Sequence, residues 1–140
     1  MIELTRKGEY AIRGVIYLAQ RPPGERVLLG DLAEATEAPP AFMAKILQAF
    51  AKLGIVRSSR GAKGGFTIGR PPSAITLREV VEAVEGPIVP NRCLTGLGVC
   101  SRDGHCGVHG VWRRVQTQVV SILDSVTIAD LAHGKTHPKE

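Results

Sequence analysis

A chain of 140 residues, 44% of them hydrophobic and 22% charged, is long enough for one packed core and too short for two ordinary domains. That balance excludes a wholly disordered polymer, and no apolar run approaches the roughly 20 residues of a bilayer span. The net charge of +5 is uneven: residues 1–70 carry eleven Lys/Arg against six Asp/Glu, whereas residues 71–140 carry seven of each.

The start, Met1-Ile2-Glu3-Leu4-Thr5-Arg6-Lys7, has neither the apolar h-region nor the small-residue cleavage site of a signal peptide, so a cytoplasmic chain with no membrane contact is expected. From Gly8 to Gln20, Tyr10, Ala11, Val15, Leu18 and Ala19 recur on one helical face. Arg21-Pro22-Pro23-Gly24 stops that helix. A short second helix reads from Asp31 to about Thr36, with Leu32 and Ala33 inward. A third begins at Pro40, where a missing N–H matters least, and ends at Gly54. Its periodicity turns Phe42, Met43, Ile46, Leu47, Phe50 and Leu53 inward.

The period then changes to that of strands. Ile55 to Ser59 and Phe66 to Gly69 flank Arg60-Gly61-Ala62-Lys63-Gly64-Gly65, a loop whose glycines permit a tight connection. Pro71-Pro72 closes this hairpin, and Thr76 followed by Glu79 forms a capping-box pattern that opens a helix through Leu77, Val80, Val81 and Val84 to Gly86. Residues 87–107 lose all periodicity and are rich in glycine and cysteine. It returns in Val108, Val111, Trp112, Val115, Val119, Ile122 and Leu123, a stripe of about sixteen residues and roughly 24 Å. Thr127 with Asp130 starts a last short turn, and Gly134 to Glu140 reads as a frayed tail.

Two helices joined by a short turn and followed by a basic hairpin are the order of a winged helix-turn-helix. The fold expected is mainly α with one small β-hairpin and a long C-terminal dimerisation helix. The helix after the turn would present its N-terminal end to the major groove of double-stranded DNA. Between Ala38 and Arg70 stand six basic residues and no acidic one, which points to a polyanionic partner. The residues singled out for DNA contact are Ala41, Phe42 and Lys45 on the third helix and Ser59, Arg60, Gly61 and Lys63 at the wing. Ala44 and Gln48 share the exposed side of the helix, and Phe42 is counted both there and on the inward face.

All three cysteines fall within fourteen residues, as Cys93-x6-Cys100-x5-Cys106, with His109 three positions beyond. Thiols of a reducing compartment read better as metal ligands than as disulfides. Soft thiolates favour an iron–sulfur cluster or zinc, and spacings of five and six exceed those typical of zinc knuckles. Iron–sulfur, zinc and unligated thiols all remain open on spacing alone. His105 is a rival imidazole but adjoins Cys106.

At several places the chain resembles the IscR/NsrR-type bacterial regulators. The likeness runs from Leu4 to about Leu131 through Leu4-Thr5-x-Lys7-Gly8-x-Tyr10-Ala11, the wing Val56-x-Ser58-x-Arg60-Gly61-x-x-Gly64-Gly65-Phe66, and Ile75-Thr76-Leu77-x-Glu79-Val80-Val81. It continues in Cys106-x-x-His109-x-x-Trp112 and Thr127-Ile128-Ala129-Asp130-Leu131. The resemblance implies a winged-helix homodimer whose Cys93, Cys100 and Cys106 hold an iron–sulfur cluster. It makes His109 the fourth ligand of a 2Fe–2S cluster, as in the IscR branch. Glu9 falls where the NsrR branch places an acidic ligand from the partner subunit. The first cysteine interval is one residue longer than in the best-known members, and Pro39-Pro40-Ala41-Phe42-Met43-Ala44 lacks the hydroxyl and acidic side chains that some relatives place at the base-reading end.

The expected organisation is a DNA-binding domain over 1–86, a cluster-binding loop over 87–107, a dimerisation helix with its turn over 108–133, and a flexible tail over 134–140. The leading reading is a sequence-specific regulator, repressor or activator, whose DNA affinity follows a cluster that senses cluster supply, redox state or nitric oxide. Iron–sulfur assembly proteins would be its further partners. The alternatives are a cluster-free or zinc-binding regulator, and a metal- or thiol-binding carrier that uses the winged helix for protein contact. A carrier has no use for the basic segment. No nucleophile–base pairing or phosphate-binding Gly-Lys motif is present, so an enzyme is not expected.

Overall fold

The computed structural model describes residues 3–60, 64–90, 94 and 107–134. Helix α1 (Arg6–Ala19) opens on Thr5, whose hydroxyl accepts from the Gly8 N–H at 3.2 Å. It therefore begins two residues before the first periodic position, because the cap and not the apolar pattern decides where a helix starts. Its buried side is Gly8, Ala11, Gly14, Val15 and Leu18.

Helix α2 (Leu29–Thr36) also starts earlier than its periodicity indicates, by two residues ahead of Asp31. Leu28 at its N-cap makes no side-chain capping bond, so no local signal marks that end. Glu37 closes α2 in the left-handed conformation, at φ 57° and ψ 35°. Its N–H donates to carbonyls of Ala33 and Glu34, and the Ala38 N–H donates to the Ala33 oxygen at 2.9 Å. Three residues later α3 (Pro40–Lys52) begins.

On α3 the buried residues are Met43, Ile46, Leu47 and Phe50. Phe42 and Leu53, expected on the inward face, are exposed at 49% and 56%. Phe42 lies at the margin of the apolar arc and Leu53 caps the helix, so neither is covered by a neighbouring element.

Strands β1 (Val56–Ser59) and β2 (Gly65–Ile68) pair antiparallel, Val56 opposite Ile68 and Ser59 opposite Gly65. Each is one residue shorter or shifted relative to its sequence pattern. A third piece joins them: Val27 bridges Phe66, with N–H···O bonds of 2.9 and 2.8 Å in the two directions. At Gly65 φ is +142°, and a Cβ there would stand 2.9 Å from the Val27 carbonyl oxygen, so this bridge requires glycine.

After a short 3-10 turn at Pro72–Ala74, α4 (Leu77–Glu85) carries the expected capping box of Thr76 and Glu79. Helix α5 (His109–Ser125) has 17 residues, and the second capping box, Thr127 with Asp130, opens α6 (Ile128–Ala132). Helix α6 returns to the head. Thr76 bridges Thr127, the Leu77 N–H donates to the Val126 oxygen at 2.8 Å and the Ile128 N–H to the Ile75 oxygen at 2.9 Å. Ile128 is fully buried with Ala11, Val15, Leu32, Phe50 and Ile75 in the core shared by α1 to α4. The architecture is thus mainly helical with one small hairpin. No helix among the described residues is long and apolar enough to cross a membrane.

Candidate nucleic-acid interface and metal centre

The turn between α2 and α3 sets the angle of the second helix, and it is braced from α1. Arg13 of α1 donates to the Thr36 carbonyl at 3.2 Å, satisfying an acceptor at the C-terminal end of α2. Its guanidinium lies 5.8 Å from the Tyr10 ring centre, and Tyr10 stands 6.3 Å from Phe42 with the rings tilted by 51°. Three elements therefore share one ladder of contacts: α1 through the Arg13 and Tyr10 side chains, α2 through the Thr36 carbonyl, and α3 through the Phe42 ring. The buried Thr36 hydroxyl is itself satisfied by the Leu32 oxygen at 2.7 Å.

The exposed side of α3 presents Ala41, Phe42, Lys45 and Gln48, and Ala44 is half-buried. No side chain caps the helix start, where Pro39 and Pro40 supply no N–H. On the hairpin, Ser59 is half-buried and Arg60 exposed. Gly61 and Lys63 lie outside the described residues. Arg70, at the foot of the hairpin, is engaged inward by Glu79 and the Ala74 carbonyl, each at 3.2 Å, so it serves α4 and not a ligand.

The second region is the junction of α4 and α5, the two helices that flank the cysteine segment in the chain. Cys93, Cys100 and Cys106 fall outside the described residues, as does His105. Of the proposed ligands, His109 is the first residue of α5 and half-buried, whereas Glu9 is exposed in the first turn of α1. Among the described residues no group of three His, Cys, Asp or Glu side chains is placed to hold a metal ion. A donor set of three thiolates with one imidazole suits iron–sulfur chemistry.

Hydrogen bonds hold the chain on the α4 side of that segment, one to α1 and one to α5. Glu85, the last residue of α4, accepts from the Thr5 N–H at 2.7 Å and from the Thr5 hydroxyl, placing a carboxylate at the positive end of α1. Gln116 of α5 donates to the Ile88 carbonyl at 2.9 Å. Lower on the same helix pair, Arg78 bridges Glu82 at 3.2 Å and Asp124 at 2.9 Å. Its hydrogen bonds to Asp124 and then Glu82 raise the Arg78 pKa, so its charge is permanent.

The apolar stripe of α5 divides in two. Val108, Val111 and Ile122 are exposed, at 50%, 51% and 61%. Trp112, Val115, Val119 and Leu123 are half-buried. Val119 and Leu123 turn back toward the head, lining with Leu4, Ile12, Leu77 and Val81 a cavity of about 260 Å³. No residue of α5 is fully buried.

A family model named Rrf2, described as an iron-dependent transcriptional regulator, matches residues 4–134. The chain belongs to the Rrf2 family. Among its relatives, Rv1287 of Mycobacterium tuberculosis, named for an HTH-type transcriptional regulator, is 34% identical over 134 residues, 95% of this chain and 83% of the relative. The HTH-type transcriptional regulator IscR of Escherichia coli is 28% identical over 134 residues, covering 96% of this chain and 82% of IscR. The solved structure of CymR, the global cysteine regulator of B. subtilis, superposes with a TM-score of 0.78 at 28% identity, covering 98% of this chain and all of CymR. This Rrf2 protein is thus a transcriptional regulator with a winged-helix head, and its relatives are not enzymes.

Sequence reasoning missed the ladder of Arg13, Tyr10 and Phe42, the Glu85–Thr5 contact and the Gln116–Ile88 bond. For the last two nothing local signals the pairing, since the partners are 80 and 28 residues apart. For Phe42 a signal exists: Met43, Ile46, Leu47 and Phe50 already complete a buried arc without it.

Proposed function

We propose that this Rrf2 protein is a cytoplasmic homodimer that binds an operator in double-stranded DNA with an affinity set by an iron–sulfur cluster, 2Fe–2S, on Cys93, Cys100, Cys106 and His109. In this reading 1–86 forms the reading head, 87–107 the cluster loop, 108–133 the dimerisation helix with its turn, and 134–140 a tail. The observation that carries it is the position of His109: the cysteine segment runs directly into the helix whose outer apolar face is uncovered. A change in the order of that segment acts at once on the dimer helix and, through Glu85 and Thr5, on α1 of the head. Such a change shifts an equilibrium between two head-to-head arrangements.

When bound, the cluster supplies a redox- and nitric-oxide-sensitive centre whose loss removes the tie between its ligands. The chain's own residues hold it, with the three thiolates contributing negative charge and His109 a neutral donor. Ala41, Phe42 and Lys45 then face the major groove, while Ser59, Arg60, Gly61 and Lys63 reach the backbone or minor groove. Iron–sulfur assembly proteins would load the site.

Anaerobic purification followed by visible spectra and iron and zinc analysis tests the reading. Cys93→Ala, Cys100→Ala and Cys106→Ala should each abolish or severely reduce the charge-transfer bands. His109→Ala should leave a more labile cluster, and Glu9→Ala an unchanged spectrum. If the partner's carboxylate completes the site instead, the last two results exchange places. Stoichiometric zinc without iron in the wild-type protein refutes the cluster, and equal operator affinity with and without it refutes the sensing.

A further inference from the structure

The exposed start of the base-reading helix has an unusual chemistry. The N-cap Pro39 and the first three residues of α3, Pro40-Ala41-Phe42, carry no side-chain hydrogen-bond donor or acceptor, and the two prolines lack backbone donors as well. Side-chain donors begin only at Lys45 and Gln48, one and two turns further on. A helix inserted by its N-terminal end thus meets the first base edges with hydrocarbon alone. Of the four bases, only thymine displays an apolar group in the major groove, its C5-methyl.

Phe42 is placed to use that difference. It is 49% exposed on a helix whose other large apolar residues, Met43, Ile46, Leu47 and Phe50, are buried. The exposed remainder of its ring is not left to swing freely. Tyr10 supports it at 6.3 Å, and Tyr10 in turn lies under Arg13, which is pinned to the Thr36 carbonyl. A braced aromatic edge loses little side-chain entropy on contact. Apart from Arg70, which Glu79 engages, the surrounding segment from Ala38 carries five cations and no anion, which with the regulator family favours DNA as the occupant of this face.

We infer that Phe42 is a specificity-determining residue that reads thymine methyl groups in the operator, so that discrimination at the start of α3 rests on apolar contact and not on hydrogen bonds. This rests on α3 being the base-reading helix. Removing one buried methyl should weaken binding about fourfold, the equivalent of about 0.8 kcal/mol.

The test uses the full-length protein and an operator selected from random duplexes. Each thymine is replaced singly by deoxyuridine, a change that removes only the methyl group, and affinity is measured at fixed ionic strength. The wild-type protein should lose about fourfold in affinity at one or two thymines per half-site. Phe42→Ala should bind the thymine and uracil duplexes equally at those positions, whereas Arg60→Ala should bind more weakly overall and keep the discrimination. A uracil scan that is flat for the wild-type protein overturns the inference and needs no variant to do so. Discrimination that survives in Phe42→Ala overturns it too, while leaving DNA binding by α3 intact. Failure to select any duplex removes the DNA-binding reading and this inference with it.

Discussion

Ile122→Ala tests the proposed assembly most directly. Ile122 is 61% exposed on α5, and burying a large aliphatic side chain completely is worth about 1.5–3 kcal/mol. If a second copy of α5 covers that exposed share, each Ile122 contributes about 1–2 kcal/mol. A twofold interface contains the residue twice, so the variant should weaken dimerisation by about 2–4 kcal/mol, or about 30- to 700-fold in dissociation constant. Arg113→Ala is the control, because nine positions separate it from Ile122 and place it on the opposite side of the helix. Sedimentation velocity over a concentration series reads the result. A wild-type monomer at micromolar concentration, or an Ile122→Ala dimer as tight as the parent, would refute the reasoning.

Three further outcomes can be measured. Gly69→Ala should destabilise the fold by about 2–4 kcal/mol in urea unfolding, because its Cβ would lie 2.4 Å from the Gly54 carbonyl oxygen, a backbone atom. Gly8→Ala should have a smaller effect, since the atoms it meets, Glu85 Oε1 at 2.5 Å and Leu4 Cδ2 at 2.6 Å, belong to side chains that can move. Glu37→Gly should stabilise the protein by about 0.5–1 kcal/mol in the same assay, because Glu37 holds a left-handed conformation that glycine adopts freely. Arg60→Ala should lower operator affinity by about 1–3 kcal/mol, while Lys63→Ala should weaken all sequences alike and flatten the salt dependence; unchanged binding by both would remove the wing from the interface.

Much of this architecture is legible in local sequence because local physics decides it. Both capping boxes, Thr76 with Glu79 and Thr127 with Asp130, form as their spacing indicates. The hairpin follows from a change of period flanking glycines, and α5 from a three-and-four repeat. The three cysteines are legible in sequence as one close group, whereas the two candidates for a fourth donor, His109 on α5 and Glu9 on α1, stand on different elements, so spacing alone does not choose between them.

What the amino-acid order determines by itself is the location and sidedness of each element: where a helix can be capped, where glycine or proline interrupts it, and which face is apolar. Which neighbour meets that face is a tertiary matter. Phe42 and Ile46 carry the same helical signature, yet one is half-exposed and the other fully buried, because the core formed by α1, α2 and α4 covers only part of the arc. Val119 and Leu123 belong to the same stripe as Val111 and Ile122, but α1 and α4 draw the first pair inward. The Val27–Phe66 bridge and the burial of Ile128 against α1 join residues 39 and about 100 or more positions apart. Periodicity reports burial potential within one element, and only the closing of such long chain loops supplies the atoms that realise it.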